Sequence, residues 1–123
     1  MSQKLKEKIV IIDDDALVRQ SLEDCMESAG YIVEGFGSAE EFLASGRAPW
    51  AACLIVDIRM PGITGLDLQE RLAGPDRPPV VFVSAQESAA HRERAIRQGA
   101  AGFLCKPVRR DELLHSVRAA ILR

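Results

Sequence analysis

Short apolar runs alternate with longer segments of helical periodicity along the whole chain, and this alternation leaves few folds open. The runs are IVII (9–12), YIVEGF (31–36), AACLIV (51–56), PVVFV (79–83) and GFLC (102–105). The first, third and fourth are apolar throughout, as expected of strands buried on both faces. YIVEGF is more mixed, which suits a strand nearer an edge. Between the runs, 15–29, 39–45, 65–73, 87–98 and 109–122 read as helices. In the first, Leu17, Val18, Leu22, Cys25, Met26 and Ala29 recur at helical spacing and Gly30 stops the helix. Ser38 with Glu41 reads as a capping box for the second. Thr64 can cap the third, and Gly74-Pro75 ends it. The fourth ends at Gly99. Leu113, Leu114, Val117 and Ile121 share one face of the last. Five strand–helix units in strict alternation imply a parallel sheet covered on both sides. Right-handed crossovers then favour a doubly wound, flavodoxin-like (βα)5 sheet with strand order 2-1-3-4-5. A closed eight-fold barrel needs about twice the length. The 123 residues fit one domain with an ordered core of about 8–122.

Composition excludes several classes of function. A net charge of -2 gives no global electrostatic case for direct nucleic-acid or membrane binding. No apolar run approaches the ~20 residues that span a bilayer. The N-terminus is polar, no signal peptide is visible, and a cytoplasmic location is expected. Cys25, Cys53 and Cys105 show no CxxC spacing and sit among apolar residues, so reduced core thiols are expected.

The polar residues at the ends of the apolar runs carry the chemistry. The first run leads into Asp13, Asp14 and Asp15, the third into Asp57, the fourth into Ser84, and the fifth into Lys106 and Pro107. Ligands of an open parallel sheet bind beyond the carboxyl ends of its strands, where the winding reverses. With order 2-1-3-4-5 that point lies between the first and third strands. Asp13 and Asp14 then face Asp57, with Ser84 and Lys106 alongside. Carboxylates at such range need a counter-charge. All-oxygen ligands without His or Cys favour Mg2+, with Mn2+ as the alternative, and a phosphate oxygen often completes a Mg2+ shell. Lys106 adds a positive charge and Ser84 a hydroxyl donor, which together suit a phosphoryl group. Ser84 has no histidine base to activate it, so a carboxylate is the expected nucleophile. Asp57, alone at the end of the central strand, is the best placed.

The motifs IDDD (12–15), VDIRMPGITG (56–65), VSA (83–85) and GFLCKP (102–107) together resemble the receiver domain of two-component response regulators. The resemblance runs from residue 9 to about 121. It implies that Asp57 accepts a phosphoryl group from a phosphohistidine of a sensor histidine kinase. It implies that Asp14 ligates Mg2+ directly, Asp13 directly or through water, and that the backbone carbonyl of Arg59 is a further ligand beside Asp57. Ser84 matches the hydroxyl that moves onto the phosphate, Lys106 the lysine that binds it, and Phe103 the aromatic that reorients. The Lys106-Pro107 peptide is expected to be cis. DIRMPG and GFLCKP look most like the FixJ-type branch, whose members usually carry a C-terminal LuxR-type helix-turn-helix. No such effector domain lies in these 123 residues. A natural single-domain regulator and an excised receiver of a longer transcription factor both fit, and the end after AAILR favours excision. The expected output is a changed surface on the fourth helix, fifth strand and fifth helix. That surface would control a homodimer or a DNA-binding effector domain.

Plainer readings stand beside these. One aspartate of the cluster could be a helix cap, and Asp15 is the expected cap rather than a ligand. Phe103, taken without the resemblance, reads as core. Arg59 reads as a solvated loop residue, though its side chain and Gln86 are placed to tune the lifetime of an acyl phosphate. His91 and His115 read as exposed helix residues. The run HRERAIR (91–97), with Arg109, Arg110, Asp111 and Glu112, is either a solvated face or a self-complementary dimer surface. Cys105 reads as buried and inert. Two rivals in function remain. An aspartate-nucleophile phosphatase of the haloacid dehalogenase type wants an acid two residues after the nucleophile, where this chain has Arg59. A receiver-like module that binds without phosphorylation would not need the full residue set.

Overall fold

The computed structural model describes residues 7–72, 74–85 and 88–122. Among these residues five strands form one parallel sheet: β1 (Lys8–Ile12), β2 (Ile32–Phe36), β3 (Cys53–Asp57), β4 (Val80–Ser84) and β5 (Gly102–Cys105). The order is β2-β1-β3-β4-β5, as expected. The helices are α1 (Ala16–Ser28), α2 (Ala39–Ser45), α3 (Gly65–Arg71), α4 (Ala89–Arg97) and α5 (Arg110–Ile121). None of them is long and apolar enough to cross a membrane.

Side-chain alternation along each strand splits the apolar residues between two cores. Ile9, Ile11, Cys53, Ile55, Val81 and Val83 pack with Leu22, Met26, Leu113 and Val117 of α1 and α5. Val10, Ile12, Leu54, Val56, Val80 and Phe82 pack with Phe42, Leu66, Leu68 and Ala95 of α2, α3 and α4. This division makes the sheet doubly wound. β1, β3 and β4 are buried almost throughout, whereas β2, at an edge, is mostly exposed or half-buried.

Local chemistry sets the helix starts. Asp15 accepts from the N–H groups of Leu17 and Val18, Ser38 from Glu41, Thr64 from Asp67 and Ser88 from His91. β3 begins two residues later than the apolar pattern suggests. A short 3-10 turn over Ala48–Trp50 occupies the approach, with Ala51 N–H donating to Ala48 O.

Several expectations need correction. Leu17 is 84% exposed. It lies five residues before the buried Leu22, which puts it ~140° round the helix from that stripe. Cys105 is exposed and Cys25 half-buried, so only Cys53 is a fully buried thiol. Cys105 ends an edge strand that pairs on one side only, with Ser84 opposite it. His91 is half-buried, while His115 is exposed. Arg94 of the basic run is not a plainly solvated charge. It binds Asp67 at 3.1 Å and Glu70 at 3.6 Å on α3.

Candidate functional site

The carboxyl ends of β1, β3, β4 and β5 bring the acidic and basic residues together. Asp13 leaves the end of β1 fully buried, and its N–H donates to Phe36 O of β2 at 3.1 Å. Asp57 is the last residue of β3 and is 6% exposed. Asp14 is exposed at the mouth. One carboxylate oxygen from each of Asp13, Asp14 and Asp57 lies within 4.8 Å of the others. Lys106 reaches in from the end of β5. Its Nζ donates to Asp13 Oδ2 at 2.9 Å and stands 3.6 Å from Asp57 Oδ2.

Backbone donors aim the carboxylates. Asp15 N–H donates to Asp13 Oδ1 at 2.9 Å, and Arg59 N–H donates to Asp57 Oδ1 at 3.3 Å. Arg19 donates from Nη1 to Asp13 O at 2.7 Å, bracing the end of β1 from α1. Ser84 is buried at the end of β4, and its carbonyl accepts from Lys106 N–H at 2.8 Å. The peptide after Lys106 is cis. Gly65 lets α3 begin against the site. A Cβ there would fall 2.4 Å from the Asp57 carbonyl oxygen, a distance no side chain tolerates.

The electrostatics follow from this crowding. Burial raises the Asp57 pKa above its usual 3.8, and Asp13 raises it further. Lys106 and the Arg59 N–H pull it back in part, and Asp14 adds to the rise. Burial alone would lower the Lys106 pKa. The hydrogen bond to Asp13 and the charge of Asp57 outweigh it, so the net shift is upward and the ammonium stays charged. Three ionised carboxylates and one ammonium sum to -2, which a divalent cation would neutralise. An all-oxygen donor set with one exposed member suits a cation that keeps part of its water, such as Mg2+.

The remaining expected residues lie nearby or outside the described region. Phe103 is half-buried on β5, with its ring centroid 6.3 Å from that of Phe82 and the Arg92 guanidinium 5.8 Å from its own ring. The core reading and the switch reading of Phe103 are both compatible with that packing. The Arg59 side chain is exposed. Gln86 lies outside the described residues. Sequence reasoning missed two features of the site. It gave Lys106 to a phosphate but did not foresee Asp13 as its partner, 93 residues away. It also missed Glu40 of α2, whose Oε2 accepts from Ile63 N–H at 3.1 Å in the loop after β3.

Comparison with known proteins gives one consistent family. The family model for the response regulator receiver domain matches residues 9–118. Nodulation protein W of Bradyrhizobium diazoefficiens is 39% identical over 116 residues, covering 94% of this chain and 51% of that protein. Transcriptional regulatory protein FixJ of the same organism is 34% identical over 117 residues, covering 94% of this chain and 57% of that protein. The solved structure of response regulator StyR superposes with a TM-score of 0.86 at 38% identity, covering 96% of this chain and 60% of that one. The chain thus spans about half the length of these curated relatives.

Proposed function

We propose, on the premise that this chain belongs to the response regulator receiver domain family of two-component systems, that Asp57 is its phosphoacceptor. The phosphoryl donor would be a phosphohistidine on a sensor histidine kinase. A carboxylate oxygen of Asp57 attacks phosphorus, the bond to the histidine nitrogen breaks, and the imidazole leaves. The observation that carries this reading is the cluster of Asp13, Asp14 and Asp57 around the Lys106 ammonium. Mg2+, or Mn2+, held by these three carboxylates and the Arg59 carbonyl would supply the charge that offsets the phosphoryl oxygens.

The chain's own groups do the rest. The Arg59 N–H holds one oxygen of Asp57 in place. Lys106 already stands within reach of Asp57 and can shift its hydrogen bond from Asp13 to an incoming phosphoryl oxygen. Ser84, at the end of the neighbouring strand, offers a hydroxyl to the same group. Its inward movement would free space for Phe103 to repack against Phe82. That repacking would alter the surface of α4, β5 and α5. A bias of a few kcal/mol is enough to shift such an equilibrium, and several charge-assisted hydrogen bonds supply it.

Curated relatives are named as response regulators and transcriptional regulators rather than as turnover enzymes. We accordingly assign a switch that catalyses its own phosphorylation and slow dephosphorylation. Its output would be a homodimer or, within a longer chain, a cytoplasmic DNA-binding effector domain. Arg59 and Gln86 would tune the lifetime of the acyl phosphate. The haloacid dehalogenase reading has no support here, because Arg59 stands where its second acid belongs. Intact-mass spectrometry after incubation with acetyl phosphate and MgCl2 tests the proposal. A phosphoryl adduct is expected on the wild type and not on Asp57→Asn, and a wild type without an adduct would overturn it.

A further inference from the structure

The loop between Asp57 and α3 carries two groups of the site. One is the Arg59 N–H that binds Asp57; the other is the Arg59 carbonyl assigned to the metal. The ends of this loop are fastened. Gly65 N–H donates to Ile58 O at 3.0 Å, Thr64 caps α3, and Ile58 and Met60 are buried. The middle, Pro61 to Ile63, is exposed or half-buried. Glu40 crosses to it from the first turn of α2 and accepts from Ile63 N–H with Oε2 at 3.1 Å.

A second observation concerns the neighbouring residue. Gly62 has φ +75°, a conformation glycine adopts without strain. A Cβ at Gly62 would fall 2.2 Å from Glu40 Oε2, so the missing side chain leaves the space that the carboxylate fills. Glu40 is also firmly mounted. Its neighbours Ala39 and Phe42 are fully buried in the core that holds Val56 and Ile58. Its place in the first turn of α2 is one the helix dipole favours.

We infer that Glu40 is a positioning residue for the phosphoryl-transfer site. By accepting from Ile63 N–H with a carboxylate that lies against Gly62, it fixes the path of the loop and so the placement of the Arg59 peptide beside Asp57. It thereby raises the affinity of the acidic cluster for a divalent cation and the rate at which Asp57 takes up a phosphoryl group. This inference rests on the reading of Asp57 as phosphoacceptor. Its action is that of a hydrogen-bond acceptor at a fixed point, which an amide oxygen in the same place can also supply. A long-range charge effect would be lost with the charge itself.

The test compares the full chain as wild type, Glu40→Gln, Glu40→Ala and Glu40→Asp. Mg2+ affinity is read from amide chemical shifts during titration with MgCl2. Amide exchange of Ile63 and the initial rate of phosphorylation by acetyl phosphate are measured on the same samples. Glu40→Ala is expected to bind Mg2+ about threefold to tenfold more weakly, somewhat less than the loss typical of a direct partner of a metal ligand, while Glu40→Gln stays within about twofold of wild type. Ile63 exchange and the phosphorylation rate should follow the same order. Glu40→Asp, one methylene short of Ile63, should behave like Glu40→Ala, which covers the case in which the alanine variant folds poorly. Wild-type affinity in both short variants would overturn the inference. So would a Glu40→Gln loss as large as that of Glu40→Ala, which would point to charge alone. If the wild type takes up no phosphoryl group, the phosphoacceptor reading fails, while the Mg2+ affinities still decide the role of Glu40.

Discussion

Neutralising Asp57 should make the metal-free protein more stable. Asp57 is buried at the end of β3, and burial, followed by the charge of Asp13, raises its pKa above 3.8. At an effective dielectric of about 20, Lys106 at 3.6 Å attracts the ionised group by about 4.6 kcal/mol, while two carboxylates at no more than 4.8 Å each repel it by about 3.5 kcal/mol or more. Water screens the share of Asp14, which is exposed, so the pair terms leave a small net repulsion. Desolvation adds to it, and a gain of about 1–2 kcal/mol is expected for Asp57→Asn. Asparagine is a clean probe. Its Oδ1 can still accept from Arg59 N–H, and Lys106 keeps its bond to Asp13.

Urea unfolding at neutral pH in EDTA reads the effect as a higher midpoint at unchanged slope. The pH dependence follows from the sign of the shift. An acid whose folded pKa is raised holds its proton more tightly when folded. Its favourable contribution is therefore present below the unfolded pKa near 3.8 and is lost as pH rises through the folded value. The gap between Asp57→Asn and wild type should accordingly vanish at low pH, open with rising pH and level off by neutrality. MgCl2 should narrow the gap, since ten times the dissociation constant stabilises the wild type by about 1.4 kcal/mol and the variant by less. An Asp57→Asn protein no more stable than wild type in EDTA, or a gap independent of pH, would refute the reasoning.

Three further outcomes are expected. Alkylation of the folded protein at pH 8, followed by mass spectrometry, should modify the exposed Cys105 first. Cys53, whose thiol burial pushes up to about 12, should react only after unfolding. Gly65→Ala should destabilise the fold by about 1–3 kcal/mol in chemical denaturation, because its Cβ would meet the Asp57 carbonyl and one of the two must move. Gln69→Leu should cost about 1–2 kcal/mol in the same assay despite adding apolar surface, because it removes two hydrogen bonds at a buried position, while Ala95 O keeps Ala100 N–H and Gln98 keeps Leu66 O. Buried Gln69 donates to Ala95 O at 3.2 Å and accepts from Gln98 at 2.6 Å.

The topology and the acidic cluster were legible because both depend on local signals. Apolar runs mark strands buried on both faces, and each ends directly in the polar residue that it delivers to the mouth of the sheet. Helix caps at Asp15, Ser38 and Thr64 are equally local and equally readable. The exposure of Leu17 and Cys105 was not, since it depends on which neighbours cover a helix flank or a sheet edge. The pairing of Lys106 with Asp13, and of Glu40 with Ile63, joins residues 93 and 23 apart. No pattern in the chain marks such pairs before the strands are placed.

The same distinction separates the two helices beside the proposed output surface. α5 is anchored by four buried residues, Leu113, Leu114, Val117 and Ala120. α4 buries Ala95 alone, and what holds it otherwise is polar. Arg94 grips Asp67 and Glu70, while Gln98, its C-cap, donates to Gln69 and to Leu66 O on α3. Apolar burial resists displacement in every direction, because any movement exposes surface. Hydrogen bonds and partly exposed ion pairs can be exchanged for water at small net cost. A movement begun at Ser84 therefore meets less resistance in α4 than in α5. If phosphorylation of Asp57 reshapes this face, α4 should move first, and variants of Gln98 or Arg94 should shift that equilibrium without touching the acidic cluster.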